Sequence, residues 1–193
     1  MKETIKNLSK AFVGESQARN RYTLYAKTAK KEGYEKISEV FLTTAEQERQ
    51  HAKWLFKMIN DLKGSSKDYE EIKIEAGVPT TIGSTEENLK AAIGGENFEY
   101  TNMYPEFAEK AKEEGLEDVA KRLKAITNAE KHHEERYKKV LKEVGAGTFF
   151  EKKEEVEWVC RECGHVHKGT TPPDKCPSCD HPKSFFELKC EEY

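Results

Sequence analysis

The sequence predicts a mainly α-helical protein: a four-helix bundle with one long crossover connection, followed by a small domain of short β-strands and knuckles built around four cysteines. Three observations lead there. Apolar residues recur at helical spacing from about residue 3 to residue 144. Glutamates and histidines interrupt those apolar seams at core positions. All five cysteines fall in the last 34 residues. A chain of 193 residues has room for one sizeable core and an appendage. Charged residues make up 36% of it, yet the net charge is only −3 and Lys and Glu are mixed, so no basic face is offered to nucleic acid. No apolar run reaches membrane-spanning length, and Met1-Lys2-Glu3 opens directly into an amphipathic pattern, so no signal peptide is expected. A cytoplasmic location is expected, and in that reducing compartment clustered cysteines point to metal rather than disulfides.

The first helix spans residues 3–32, with the seam Ile5, Leu8, Phe12, Glu15, Ala18, Tyr22, Tyr25 and Ala29, and Gly33 suits its C-terminal cap. A short turn makes the second helix its antiparallel neighbour. That helix runs to about Lys63 with the seam Ile37, Phe41, Thr44, Glu48, His51, Leu55, Met58 and Leu62. A carboxylate and an imidazole three residues apart share one helix face. Burying them unpaired is costly, and a bound cation is the natural compensation. Gly64-Ser65-Ser66 stops this helix, and the stretch through Ser84 shows no helical period. A connection that long carries the chain along the bundle, the one-crossover topology of ferritin-like folds.

Ser84 and Glu87 form a capping box that opens the third helix, whose seam is Leu89, Ala92, Glu96, Glu99, Met103 and Phe107. Gly115 ends it. The fourth helix carries Val119, Leu123, Ile126, Glu130, His133, Tyr137, Val140 and Val144 on its seam. The two hairpins are copies at an offset of 82 residues, which takes Tyr22 to Tyr104, Glu48 to Glu130 and His51 to His133. An approximate internal two-fold axis follows, with the metals on it. The register slips once, because the third helix has one extra residue between Glu96 and Tyr104. A π-bulge is expected to absorb it. Two Glu-x-x-His pairs and further inward glutamates are the ligand set of a dinuclear carboxylate site, and such hard donors suit iron or manganese.

Gly145-Ala146-Gly147 and the charged run Glu151–Glu155 read as a linker. The expected division is a bundle over residues 1–147, a linker over 148–155 and a cysteine domain over 156–193. Cys160-x-x-Cys163 and Cys176-x-x-Cys179 can close a tetrahedral tetrathiolate around zinc or iron. Trp158 and His165 are expected to pack around it, and His132 and His167 to lie at the surface. Cys190 is a fifth cysteine where four suffice, and is read as a packed or free thiol.

Taken together, Gly14-Glu15-Ser16-Gln17-Ala18-Arg19-Asn20-Arg21-Tyr22, the two Glu-x-x-His pairs, Gly95-Glu96-Asn97-Phe98-Glu99 and the Cys-Pro-x-Cys knuckle resemble the rubrerythrins over essentially the whole chain. The resemblance implies a ferritin-like bundle with a rubredoxin-like C-terminal domain, and a non-haem di-iron peroxidase that reduces hydrogen peroxide to water in oxidative-stress defence. The implied cofactors are two non-haem irons, with or without an oxo bridge, and one Fe(Cys)4. Zinc or manganese is an alternative occupant. Electrons would come from rubredoxin or a similar donor served by an NAD(P)H reductase, in a homodimer or larger homo-oligomer. By the same resemblance Glu48 and Glu130 bridge the irons, Glu15 and Glu99 serve one, and Glu96 and His133 serve the other. His51 would replace Glu99 on reduction. Five carboxylates leave a diferrous pair with excess negative charge, and exchanging an anion for a neutral imidazole relieves it. Tyr22 and Tyr104 would hydrogen-bond the metal-bound carboxylates. Asp180 departs from the glycine usual in rubredoxin-like knuckles, though Asp tolerates the left-handed backbone such a turn needs. The competing readings are a ferritin-like protein that oxidises and stores iron, which would have no use for an electron-donor domain, and a scaffold with a structural zinc.

Overall fold

The computed structural model of the chain describes residues 3–65 and 71–191. Its helices are α1 (Glu3–Lys31), α2 (Glu35–Lys63), α3 (Thr85–Phe98), α4 (Tyr104–Glu113) and α5 (Glu117–Gly145), with a π-helical segment, Glu99–Met103, joining α3 to α4. The π segment lies where the register slip demands an extra residue, so α3, the segment and α4 act as one bundle helix with a bulge. Pro105 sits in the first turn of α4, where its missing N–H is least costly. The predicted capping box is present: Glu87 N donates to Ser84 Oγ, and Ser84 N donates to Glu87 Oε2 at 2.8 Å.

Contacts fix the topology. Tyr22 meets Glu96 while Glu15 meets Tyr104, so α1 runs antiparallel to α3–α4. Arg136 meets Thr44 while Arg122 meets Trp54, so α2 runs antiparallel to α5. This is the one-crossover arrangement expected. Residues 66–70 of the crossover lie outside the described residues; residues 71–83 form no helix. Each hairpin end caps the other hairpin's first helix. Glu114 accepts from the N–H groups of Glu3 and Thr4, and Glu32, 82 residues earlier, accepts from that of Thr85. A carboxylate at a helix N-terminus satisfies free N–H groups and faces the positive end of the dipole.

The bundle core has two apolar ends with the acidic layer between them. One is mainly aliphatic: Ile5, Leu8, Leu55, Met58, Ile59, Leu123 and Ile126. The other is aromatic: Tyr22, Tyr25, Phe41 and Tyr137, with ring centroids 5.2–6.1 Å apart.

Beyond the bundle, β1 (Val156–Cys160), β2 (Val166–Gly169) and β3 (Phe186–Leu188) form an antiparallel sheet in the order β2-β1-β3. Trp158, Cys160, Cys176 and Phe186 are its buried core. The residues before β1 are packed rather than free: Phe149 and Phe150 lie against the Tyr34 ring at the α1–α2 turn, at 5.4 and 6.0 Å. Arg161, within the first knuckle, donates to Glu39 on α2 at 2.8 Å and to Glu187 at 2.6 Å, and Lys36 reaches the same two carboxylates. The cysteine domain is therefore seated on the aromatic end of its own bundle.

Candidate metal centres

Midway along the bundle, Glu15, Glu48, Glu96 and Glu130 are each 0% exposed, and Glu99 and His133 are also buried. They occupy the positions where their seams place apolar residues, so the helices could not fold without taking them inside. Two ligand sets result. One holds Glu15, Glu48, His51 and Glu130; the other holds Glu48, Glu96, Glu130 and His133; in each, the ligand atoms lie within 4.8 Å of one another. Glu48 and Glu130 belong to both. His51 Nδ1 is 3.0 Å from Glu48 Oε2 and 2.9 Å from Glu130 Oε1. His133 Nδ1 is 3.1 Å from Glu48 Oε1 and 2.9 Å from Glu130 Oε2. Each shared carboxylate thus turns one oxygen to each imidazole, as the repeat requires.

Of the sequence-predicted ligands, the structure brings six into these sets and leaves Glu99 outside. Glu99 is on the π segment, buried beside the Glu15 set, while His51 takes the place in it. Tyr22 Oη donates to Glu96 Oε1 at 2.5 Å, and Tyr104 Oη donates to Glu15 Oε1. Each tyrosine therefore steadies the terminal glutamate of the opposite hairpin.

The electrostatics are those of a cluster with too much negative charge for its volume. Burial, followed by the charge of Glu48, pushes the Glu15 carboxyl up to about 7 and that of Glu96 up to about 8. Burial, then Glu15, raises Glu99 well above the carboxylate range. Glu48 goes the other way: burial and Glu130 oppose its charge, but hydrogen bonds from the two imidazoles outweigh them. Burial also works against a charged imidazole, yet Glu130, Glu48 and Glu96 hold His133 up to about 11, and Glu130, Glu15 and Glu48 raise His51 in the same sense.

These residues fit a metal pair on an independent count. Among the described residues, Glu15 Oε2, Glu48 Oε1, Glu96 Oε2, both Glu130 oxygens and His133 Nδ1 are buried without a well-directed hydrogen bond, although His133 Nδ1 lies 2.9–3.4 Å from three of these oxygens and His51 Nδ1 2.9 Å from Glu130 Oε1; all face the two sets. Five carboxylate oxygens there share two imidazoles, and a buried polar atom without a directed partner costs about 1–3 kcal/mol, which cations coordinated by these atoms would offset. Carboxylate oxygen and imidazole nitrogen are iron or manganese ligands.

In the cysteine domain two equivalent knuckles face each other. Cys160 N donates to His165 O and Gly164 N to Cys160 O; Cys176 N donates to His181 O and Asp180 N to Cys176 O, all at 2.8–2.9 Å. Gly164 has φ +75° and Asp180 φ +61°, Asp180 being the one non-glycine with positive φ among the described residues. The Cys160–Cys179 and Cys163–Cys176 sulfurs are each 3.7 Å apart, and the four form one ligand set. The backbone N–H of His165 lowers the Cys163 thiol to about 6. The Cys179 thiol, despite the N–H of His181, is pushed up to about 12 by burial and the neighbouring sulfurs. One thiolate discourages the next, and a cation removes that conflict. Trp158 is buried in this core, His165 is half-buried, His132 is exposed, and Cys190 is an exposed free thiol outside the set.

Sequence reasoning missed Trp54, Arg122, Arg136 and Glu134. Arg136 donates to Thr44 and Gln47; Glu134 is buried and accepts from Asn97 at 2.8 Å. The repeat carried a signal for two of them, since Trp54 and Arg136 are 82 residues apart and each stands three beyond a ligand histidine.

The rubrerythrin family model matches residues 6–141, and the model of the rubrerythrin rubredoxin-like domain matches residues 158–187. A putative rubrerythrin of Methanocaldococcus jannaschii is 62% identical over 195 residues, covering 100% of this chain and 96% of that protein. The rubrerythrin of Nitratidesulfovibrio vulgaris is 46% identical over 186 residues, covering 96% of this chain and 93% of its own. Among solved structures, nigerythrin in its fully reduced, all-ferrous state aligns with TM-score 0.64 at 31% identity, over 96% of this chain and 86% of nigerythrin.

Proposed function

The chain belongs to the rubrerythrin family, and from that premise we propose that it is a cytoplasmic peroxidase reducing hydrogen peroxide to water with electrons passed through its tetrathiolate site. The observation that carries this reading is the doubled ligand set with a spare ligand beside it, in a chain that also holds four convergent thiols. Iron in these sites would supply reversible one-electron oxidation at two adjacent ions, matching the two electrons that one peroxide consumes. The chain does the rest. Glu48 and Glu130 would hold the pair together, Glu15 and His51 one member, Glu96 and His133 the other. Once a cation displaces their protons, Glu99 beside the Glu15 set and His51 within it would be an anionic and a neutral ligand, able to exchange when the charge of the site changes. Tyr22 and Tyr104 fix the terminal glutamates from outside. The apolar ends of the bundle keep bulk water from the acidic layer.

Cys160, Cys163, Cys176 and Cys179 would bind one iron. A site closed by four like ligands changes charge with little rearrangement, which suits electron delivery. Rubredoxin or a similar carrier with an NAD(P)H reductase is the donor we propose, and a homodimer or larger oligomer the working form. Among the described residues no helix is long and apolar enough to cross a membrane. The test is anaerobic stopped-flow mixing of the fully reduced protein with hydrogen peroxide. Bleached tetrathiolate iron should recover its oxidised colour with two electrons consumed per peroxide. Slow recovery, or iron accumulating well beyond the two centres, would favour iron storage instead.

A further inference from the structure

The two histidines are related by the repeat, but their surroundings are not. The His51 side chain is 14% exposed and that of His133 only 2%. Outside His133, Arg136 lies across the helix gap and donates to Thr44 Oγ1 at 2.6 Å and to Gln47 Oε1 at 2.9 Å. The 82-residue offset turns these three into Trp54, Ile126 and Ala129 on the other face. There the hydrogen-bonded bridge is lost, Gln has become Ala, and a pocket of about 200 Å³ opens, lined by His51, Trp54, Arg122, Ala125 and Ile126. Trp54 is 39% exposed. Its indole is held by cations, with the Arg122 guanidinium 3.8 Å and the Lys57 Nζ 4.6 Å from the ring centroid.

We propose that metal ions and peroxide reach the acidic layer through the pocket at His51, with Trp54 and Arg122 as its gate and Ala125 and Ile126 as its walls, while Arg136 seals the equivalent face at His133. The inference rests on the metal-site reading above and adds the route and the residues that bound it. Every group beyond His51 is buried, so a solute entering this pocket meets that imidazole first. His51 is thus the one member of the two sets that lines the opening.

The repeat supplies a matched control. Ala125 and Thr43 are equivalent, exposed positions on the open and the sealed face. Cobalt(II) alone is added to the metal-free, full-length protein, and uptake is followed by stopped-flow absorbance. The sulfur charge-transfer bands of cobalt at the four cysteines provide an internal reference. Ala125→Phe should slow uptake in the bundle by about ten-fold or more, Trp54→Ala should raise it several-fold, and Thr43→Phe should leave it within about two-fold, ten-fold corresponding to roughly 1.4 kcal/mol of barrier. In the iron-loaded reduced protein, Ala125→Phe should slow reaction with hydrogen peroxide by a similar factor, and Thr43→Phe should not. Equal rates in Ala125→Phe and Thr43→Phe, or slowing by Thr43→Phe alone, would overturn the route while leaving the metal site intact. An unaltered chain that takes no cobalt into its bundle would overturn both.

Discussion

The two halves of the bundle carry the same ligands in different surroundings. Around the His133 set, the tyrosine that holds Glu96 packs among Tyr25, Phe41 and Tyr137, and Arg136 closes the outer face. Around the His51 set, Tyr104 packs among aliphatic residues: Leu123 stands where the repeat has Phe41, and Leu55 where it has Tyr137. The buried Glu99, the π segment that carries it and the pocket also lie on the Glu15/His51 side. Departures from two-fold symmetry therefore gather on one half. Holding two cations demands like ligands, whereas admitting a substrate and exchanging a ligand need be done only once.

The largest expected effect tests the part the halves share. Glu130→Ala and Glu48→Ala each remove an oxygen from both sets, so both should lose both ions, costing more affinity than the roughly 100-fold typical of losing an outer hydrogen-bond partner. Metal content after dialysis reads this, and retention of one tightly bound ion by either variant would show the halves to be independent.

The second prediction separates the halves. Phe41→Ala should destabilise the protein by about 3–5 kcal/mol and Leu123→Ala by about 2–5 kcal/mol, with the former larger because it also loses ring contacts to Tyr22, Tyr25 and Tyr137. Urea unfolding gives both values, and a larger loss for Leu123→Ala would deny the aromatic end any special weight.

The third concerns pH. Glu15 and Glu96 titrate at about 7 and about 8 in the folded chain, above the ordinary 4.5, so the folded state holds more protons between these values. Their contribution to the stability of the metal-free protein is complete below pH 4.5 and is lost as pH rises through 7 and then 8, with a slope of up to about 1.4 kcal/mol per pH unit for each group. The raised histidines act in the same direction. Thermal unfolding of the metal-free protein at stepped pH should show this decline. Glu15→Gln should make the decline shallower between pH 4.5 and about 7, and Glu96→Gln should make it shallower between pH 4.5 and about 8. Stability that rises across the window would contradict the assignment.

Next, Tyr22→Phe and Tyr104→Phe should each weaken metal binding by roughly 10–100-fold, and by similar amounts, because each frees one terminal glutamate. Competition with a chelator measures it. The smallest effect lies in the knuckles. Asp180→Gly should change stability by less than about 1 kcal/mol in the stabilising direction, since glycine adopts positive φ without the side-chain penalty. Gly164→Ala should cost more than Asp180→Gly gains.

Much of this was legible in the chain. A Glu or His on an apolar seam is conspicuous because helical periodicity dictates which side chains turn inward. The repeat located the partner of each ligand, and the slip between Glu96 and Tyr104 announced the π segment. The proposed gate was legible only in the repeat's pairing of Trp54 with Arg136. Trp54 and Arg122 read as ordinary surface residues on separate helices, and the choice of His51 over Glu99 depends on distances no spacing encodes. The seating of the cysteine domain depends on Arg161, Glu39 and Glu187, three charges with no mark to separate them from dozens of others.

What the sequence by itself determined is local and periodic: which residues form helices, which acids face inward, and which cysteines pair into knuckles, because helix geometry and turn chemistry act over a few residues. Tertiary structure alone decided which face of the metal layer is open and which is sealed. That difference arises where side chains from α2 and α5 meet across a gap, so its energy belongs to pairs of residues far apart in the chain.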